Sequence, residues 1–322
     1  MVAAKVIGLA MQAHSGQGKD MDDCIIIGGG PAGLTAAIYL ARYHLSIRLF
    51  DCGTSRTALI PCTHNHAGYP DGIKGTDLLD RMRRQAEKYS AHRVEGRVEK
   101  LEHEGEGFRV HAAGQVFPAR TVLLATGVFN IHPPGMDDAL HDEALFKGAL
   151  RYCPVCDGYE VTDKRVGVIG THSHGTAEAI FLRGFTRDVT LISPDSAHDL
   201  DDSCIAKLDG AGIKRVDGPC GRYRLEGDRL AVETASGWLS FDSVYPALGS
   251  HIRSELAVEL GARATGDGCL EVDDHLETTV PGLFAAGDVV KGLDQISHAM
   301  GEAGVAATKI RNKLAEERMI LR

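Results

Sequence analysis

The pattern of apolar and polar positions divides most of the chain into strand, tight turn and helix, and the division occurs twice. Cys24-Ile-Ile-Ile27 is a short, wholly apolar run of the kind that forms a strand buried on both faces. A glycine turn, Gly28-Gly-Gly30-Pro31-Ala32-Gly33, follows, then a helical stretch, Leu34–Arg42, and a second strand pattern over Leu45–Phe50. The same order returns further on. Arg165–Gly170 is again a strand entering a glycine turn, Thr176–Arg183 the helix, and Asp188–Ser193 the next strand. Each copy continues into short alternating strands with glycine-containing turns, from Arg93 to Gly127 and from Arg215 to Gly249. The expected fold class is α/β, with two three-layer Rossmann-like domains of the FAD/NAD(P)-binding type.

The first turn predicts a dinucleotide site. Gly28 permits the turn, Gly30 lets backbone approach a pyrophosphate, and Gly33 allows close helix packing, while the helix start offers free N–H groups and a positive dipole end. Asp51, 18 residues beyond Gly33, closes the second strand where an acid accepts ribose hydroxyls. Strand, loop, helix, strand and acid in register carry far more weight than a glycine motif alone.

Composition narrows the function classes. A chain of 322 residues with 43% hydrophobic residues has room for two domains, and a net charge of −9 disfavours nucleic acid and anionic membrane as partners. No apolar run approaches the roughly 18 residues of a membrane span. The leader Met1–Asp20 has too short an apolar stretch for a signal peptide and is expected to be a disordered extension of a cytoplasmic protein, with Met21 a candidate natural start.

Eight cysteines supply the candidate chemistry. Chance gives about 0.2 pairs at Cys-x-x-Cys spacing in such a chain, yet Cys153-Pro-Val-Cys156 is one. A zinc site needs a second pair of ligands, and Cys24, Cys52, Cys62, Cys204, Cys220 and Cys269 provide no such pair. A purely structural disulfide gains little from so short a loop. Redox exchange is the better reading, because this spacing lowers one thiol pKa and lets exchange run through a mixed disulfide.

Taken in order, Gly28–Gly33, Ala125-Thr126-Gly127, Cys153-Pro-Val-Cys156-Asp157-Gly158 and Gly282-Leu-Phe-Ala-Ala-Gly-Asp-Val289 resemble the low-molecular-weight thioredoxin reductase family of flavoproteins, over essentially everything from Met21 onward. The resemblance implies an FAD domain from residues 21–127 and 250–322, an inserted NAD(P)-binding-like domain over 128–249 that carries the dithiol, and a homodimer. It implies that Gly287 and Asp288 meet the FAD ribityl chain, that Gln295-Ile296 opens a helix whose dipole faces the flavin, and that Asn65 lies in a loop passing the isoalloxazine. It also implies that Cys156 faces the flavin, that Cys153 exchanges with thioredoxin or a small-molecule disulfide, and that Asp157 relays the proton. Turn-forming is the alternative role for Asn65 and for Asp157-Gly158.

The second turn departs from the family. It reads Gly170-Thr-His-Ser-His-Gly175, with His172 where a glycine gives access to pyrophosphate. Relatives that use NADPH carry a His-Arg-Arg cluster for the 2′-phosphate after the next strand, whereas Ser193-Pro-Asp195 offers no cation. NADP(H) is therefore disfavoured as donor. Three expectations fit: electrons from another donor such as ferredoxin, outward flow from a dithiol to oxygen as in the gliotoxin and holomycin oxidases, or unusual NADH contacts. Those oxidases typically show Cys-x-x-Cys-His, so Asp157 favours the reductase side. A flavin redox sensor without turnover is the non-enzyme alternative. Arg81, Arg83, Arg84, Lys88, Arg93 and Arg97 form a candidate ferredoxin patch, with an ordinary solvated face as the competing reading. His172 and His174 fall short of a metal ligand set.

Overall fold

The computed structural model describes residues 21–321; the predicted disordered extension 1–20 lies outside them. The first sheet is organised around the wholly buried strand Asp22–Ile27. Parallel neighbours are Ile47–Asp51 on one side and the second half of Gln115–Leu124 on the other, with Cys24 opposite both Ile47 and Thr121. His92–Glu95 and Leu283–Ala285 extend the parallel part outward. The first half of Gln115–Leu124 instead pairs antiparallel with Gly107–Ala112, which pairs with Val98–Glu104. One ten-residue strand thus joins a parallel sheet to an antiparallel one.

Two helices cover this sheet for sequence reasons. Pro31–Arg42 starts at proline, whose missing N–H costs nothing at a first helical position, and Gly33 is obligatory, since a Cβ there sits 1.8 Å from the Gly28 carbonyl oxygen. Ile296–Glu317 buries Ala299, Ala303, Ala306, Ala307, Ile310 and Leu314, a single face of small and aliphatic residues at helical spacing. Both helices begin at the same end of the sheet, where Pro31 and Ile296 line one cavity.

The second sheet is parallel throughout, in the order Lys214–Val216, Val189–Ile192, Val166–Ile169 and Ser243–Pro246. An antiparallel unit of Tyr223–Glu226, Arg229–Thr234 and Gly237–Phe241 accompanies it. Hydrophobic cores do not mix. The cluster around the first sheet draws its buried residues from 24–125 and 257–314, and two others draw theirs from 136–247. A two-stranded ribbon, Val128–Asn130 against Ser250–Ile252, carries the chain across in both directions, with Phe129 opposite His251.

Several element limits differ from the sequence pattern. The helix after the first turn begins at Pro31 rather than Leu34, the one after the second at His172 rather than Thr176, and Asp51 is the last residue of its strand. Proline and polar residues at a helix start weaken the apolar periodicity without opposing the first turn.

Candidate functional site

Cys153 and Cys156 form a disulfide across a single helical turn, Pro154–Asp157, with 5.2 Å between their Cα atoms. Pro154 occupies the first helical position, and the Cys153 sulfur caps the turn by accepting the Cys156 N–H at 3.2 Å. The sulfurs face a residue from the other sheet system. Gln295 Nε2 donates to Cys156 Sγ at 3.2 Å and lies 3.4 Å from Cys153 Sγ. Gln295 Oε1 in turn accepts from Asn65 Nδ2 at 2.9 Å, and Asn65 Oδ1 accepts from the Thr63 hydroxyl at 3.0 Å. A polar chain therefore holds the amide with its donor end toward the disulfide.

Asp157 is fixed from two sides. Tyr245, whose side chain is fully buried, donates its hydroxyl to Asp157 Oδ1 at 2.9 Å, and Arg151 Nη1 pairs with Oδ2 at 3.0 Å. Burial raises the Asp157 pKa above the usual carboxylate value, while Arg151 and the Tyr245 hydrogen bond pull against it. Burial outweighs its partners here, so the group holds a proton more readily than a free aspartate.

The disulfide lines a cavity of about 280 Å³ together with Pro31, Asn65, Asp288, Gln295 and Ile296. A narrower space of about 80 Å³ runs along Gly28–Ala32, Asp51, Ala125–Gly127 and Gly287–Asp288, and the two share Pro31, Arg56, Thr57, Asp288 and Ala299. Gly28 has φ +119°, and a Cβ there lies 2.1 Å from the Ala125 carbonyl oxygen; Gly30 faces only the Ser55 hydroxyl, at 3.3 Å. Thr126 donates its hydroxyl to the Arg253 carbonyl at 2.6 Å, which ties the Ala125–Gly127 turn to the returning chain. The Gly287 N–H is held by Glu302 Oε2 at 2.7 Å. An elongated track, bare of side chains at the glycine turn and open to the disulfide, fits an elongated dinucleotide such as FAD.

Electrostatics along the track rest on one residue that sequence reasoning missed. Arg56 Nη1 pairs with Asp288 at 3.2 Å and Asp294 at 3.1 Å. Burial and then Asp294 push the Asp288 pKa up, and Arg56 opposes them. Arg56 lies 232 residues from Asp288, and no local motif marks it. Arg151 lies two residues before Cys153, whereas Tyr245 sits in an ordinary buried strand.

Asp51 lines the narrow space but is only 2% exposed. Its Oδ1 accepts the Gly53 N–H at 2.8 Å, and its Oδ2 lies 3.3 Å from Arg93 and 3.5 Å from Arg83. Two of the six basic residues expected as a docking patch therefore turn inward to Asp51. Arg84 pairs with Asp80 at 3.7 Å, and Arg81 and Lys88 lie over the rings of Tyr69 and Tyr89.

The second glycine turn is built differently. His172 has φ +52°, a left-handed conformation that side chains disfavour, and its ring is largely exposed, 3.8 Å from Asp199. Gly170 and Gly175 pack on each other, since a Cβ at Gly175 lies 2.7 Å from the Gly170 carbonyl carbon. The following strand runs into buried Ser193, then Pro194 and Asp195. On the helix after the turn, burial pushes Glu178 up to about 7, although His174 lies 3.4 Å away.

Among the described residues no helix is long and apolar enough to cross a membrane. Residues 22–303 match the family model for pyridine nucleotide-disulphide oxidoreductases. The thioredoxin reductase of Mycolicibacterium smegmatis is 32% identical over 322 residues, covering 93% of this chain and 98% of that protein. The Bacillus subtilis thioredoxin reductase is 30% identical, covering 91% and 95%. Among solved structures, thioredoxin reductase from Streptococcus pyogenes superimposes with a TM-score of 0.83 at 28% identity, covering 92% of this chain and 99% of that one.

Proposed function

Since the chain belongs to the pyridine nucleotide-disulphide oxidoreductase family, and within it is a thioredoxin reductase-like flavoprotein enzyme, we propose that it passes electrons between FAD and the Cys153–Cys156 disulfide, and on to thioredoxin or a similar disulfide, with a donor other than NADPH. The observation that carries this reading is the meeting of Gln295 with both sulfurs at the open end of the FAD track.

FAD, when bound there, supplies a two-electron carrier. Gly28, Gly30, Pro31, Ala32, Gly33 and Ala125–Gly127 would hold its pyrophosphate side, Asp51 its ribose, Gly287 and Asp288 its ribityl chain, and Asn65, Gln295 and Ile296 its ring end. The Gln295 amide stabilises negative charge on whichever sulfur is released as the disulfide opens, and the Cys156 N–H does so at Cys153. Cys156 serves as the inward thiol and Cys153 as the outward one. Asp157, protonated more readily than usual through burial, delivers the proton that converts a released thiolate to a thiol.

The separate cores and the ribbon between them support two units that reorient about Val128–Asn130 and Ser250–Ile252: an FAD unit of residues 21–127 with 250–322, and an inserted unit of 128–249. Reorientation exposes Cys153 to a protein disulfide. A homodimer and a cytoplasmic location belong to the same reading. Ferredoxin and NADH are the candidate donors; Arg83 and Arg93 of the candidate ferredoxin patch are paired with Asp51 and do not serve such docking. A second reading, dithiol oxidation with oxygen as final acceptor, is favoured by the apolar side chains of Leu59, Ile60, Leu145 and Phe146 in the same cavity as the disulfide. Anaerobic bleaching of the flavin by dithiothreitol, then addition of oxidised thioredoxin or air, separates the two. Reoxidation by thioredoxin supports the reductase and reoxidation by air alone the oxidase. Bleaching unchanged in Cys156→Ser overturns both.

A further inference from the structure

A second polar chain reaches the dithiol cavity, independent of Asp157. Tyr152, adjacent to Cys153, lines that cavity with both cysteines. Its hydroxyl lies 2.9 Å from Nε2 of His141, which is 2% exposed on the helix Asp138–Phe146. His141 Nδ1 is 3.0 Å from Oδ1 of Asp142, whose side chain is 72% exposed. A carboxylate only accepts, so Nδ1 carries the hydrogen and Nε2 is left to accept the tyrosine O–H. The tyrosine oxygen then keeps a lone pair free of this chain, and the residue itself lines the cavity. Carboxylate, imidazole and hydroxyl stand in the order that makes a hydroxyl oxygen a proton acceptor.

Nearby groups leave this arrangement intact. His132 stacks on His141 at 3.8 Å, and burial, then His141 itself, lowers the His132 pKa. Asp138 also faces this pair, Tyr223 comes from the packed strand, and Arg56 faces Tyr152 from the FAD side. Burial pushes the Tyr152 phenol up, against Arg56, so it passes a proton on rather than storing charge.

We propose that Tyr152, positioned by His141 and Asp142, takes up the proton of the thiol that exchanges with Cys153, and returns it when exchange runs backward. The proposal rests on Cys153 being the outward thiol. The incoming S–H proton moves to the Tyr152 oxygen as the tyrosine proton moves to His141 Nε2. The resulting thiolate attacks Cys153 Sγ, a mixed disulfide forms, the Cys153–Cys156 bond breaks, and the electron pair settles on the Cys156 sulfur. Asp142 stabilises the imidazolium and opens to water, where the proton leaves.

The test is the second-order rate constant for anaerobic flavin bleaching by low dithiothreitol, measured across pH in the FAD-loaded enzyme. Tyr152→Phe is expected to slow the reaction at least about a hundredfold near pH 7, the low end of general-base effects. The deficit should close as pH rises past about 8.5, where the thiol ionises unaided. His141→Gln should show the same closing deficit, because Tyr152 then loses its proton acceptor. A Tyr152→Phe rate within about twofold of wild type near pH 7, or a deficit independent of pH, overturns the proposal. Cys153→Ser, which removes the disulfide, must abolish bleaching at every pH; bleaching that survives there runs without the dithiol and overturns the proposed function, and the proposal with it.

Discussion

Two glycine turns in this chain have the same topology and opposite chemistry. Gly28–Gly33 and Gly170–Gly175 each follow a buried parallel strand, open a helix and pack their outer glycines closely. The first leaves Gly30 facing only the Ser55 hydroxyl and borders a cavity, whereas the second places His172 at φ +52° where the first has its middle glycine. The strand after the first turn ends in Asp51, neutralised by Arg83 and Arg93; the strand after the second runs into Ser193, Pro194 and Asp195. A Rossmann-like frame can thus keep its packing glycines while its middle position carries a side chain, because packing needs the outer positions and phosphate approach needs the middle one.

Exchanging glycine and a side chain should therefore act with opposite sign at the two turns. The largest effect is expected for Gly28→Ala, where the new Cβ meets the Ala125 oxygen and φ is unsuited to alanine. Loss of at least about 3 kcal/mol of stability and of bound flavin should appear in denaturant midpoints and in the flavin-to-protein absorbance ratio. A stable, yellow Gly28→Ala protein breaks the comparison at its first member.

Next in size is Glu178→Gln, on the helix that the second turn opens. With the folded pKa of Glu178 raised to about 7, the native glutamate contributes fully at low pH, and stability is lost as pH rises from its ordinary value of 4.5 through 7. Glutamine carries no ionisation cost. Urea unfolding should show the variant more stable than wild type by on the order of 3 kcal/mol at pH 8 and nearly equal at pH 4. An advantage independent of pH contradicts the burial argument.

The smallest expected effect is His172→Gly, which relieves a left-handed side chain and should raise stability by roughly 1 kcal/mol or less in the same assay. It sharpens the comparison if NADPH still fails to bleach the flavin, since Ser193-Pro194-Asp195 remains without a cation. NADPH bleaching gained by this single change assigns the defect to the turn alone.

Much of this was legible in the sequence because it is local. Both strand-turn-helix copies and the Cys-x-x-Cys pair follow from short-range pattern, whereas the role of Asp157 and the domain bounds near 127 and 250 came from the family resemblance. What the pattern hid is contact at long range. Gln295 reaches Cys153 across 142 residues, Arg56 bridges Asp288 and Asp294, and Tyr245 holds Asp157 from a strand that reads as ordinary core. The cluster Arg81–Arg97 shows the reverse case, where a linear charge run looks like a patch until Arg83 and Arg93 turn inward on Asp51.

The central claim, that the dithiol and flavin are intact while NADPH is not what feeds them, is met most directly by one anaerobic titration. Purified FAD-loaded protein is mixed with stoichiometric NADPH in one cell and with dithiothreitol in another, and flavin absorbance is followed in both. The account predicts that dithiothreitol bleaches the flavin while NADPH leaves it oxidised over the same interval. Bleaching by NADPH as fast as by dithiothreitol contradicts it.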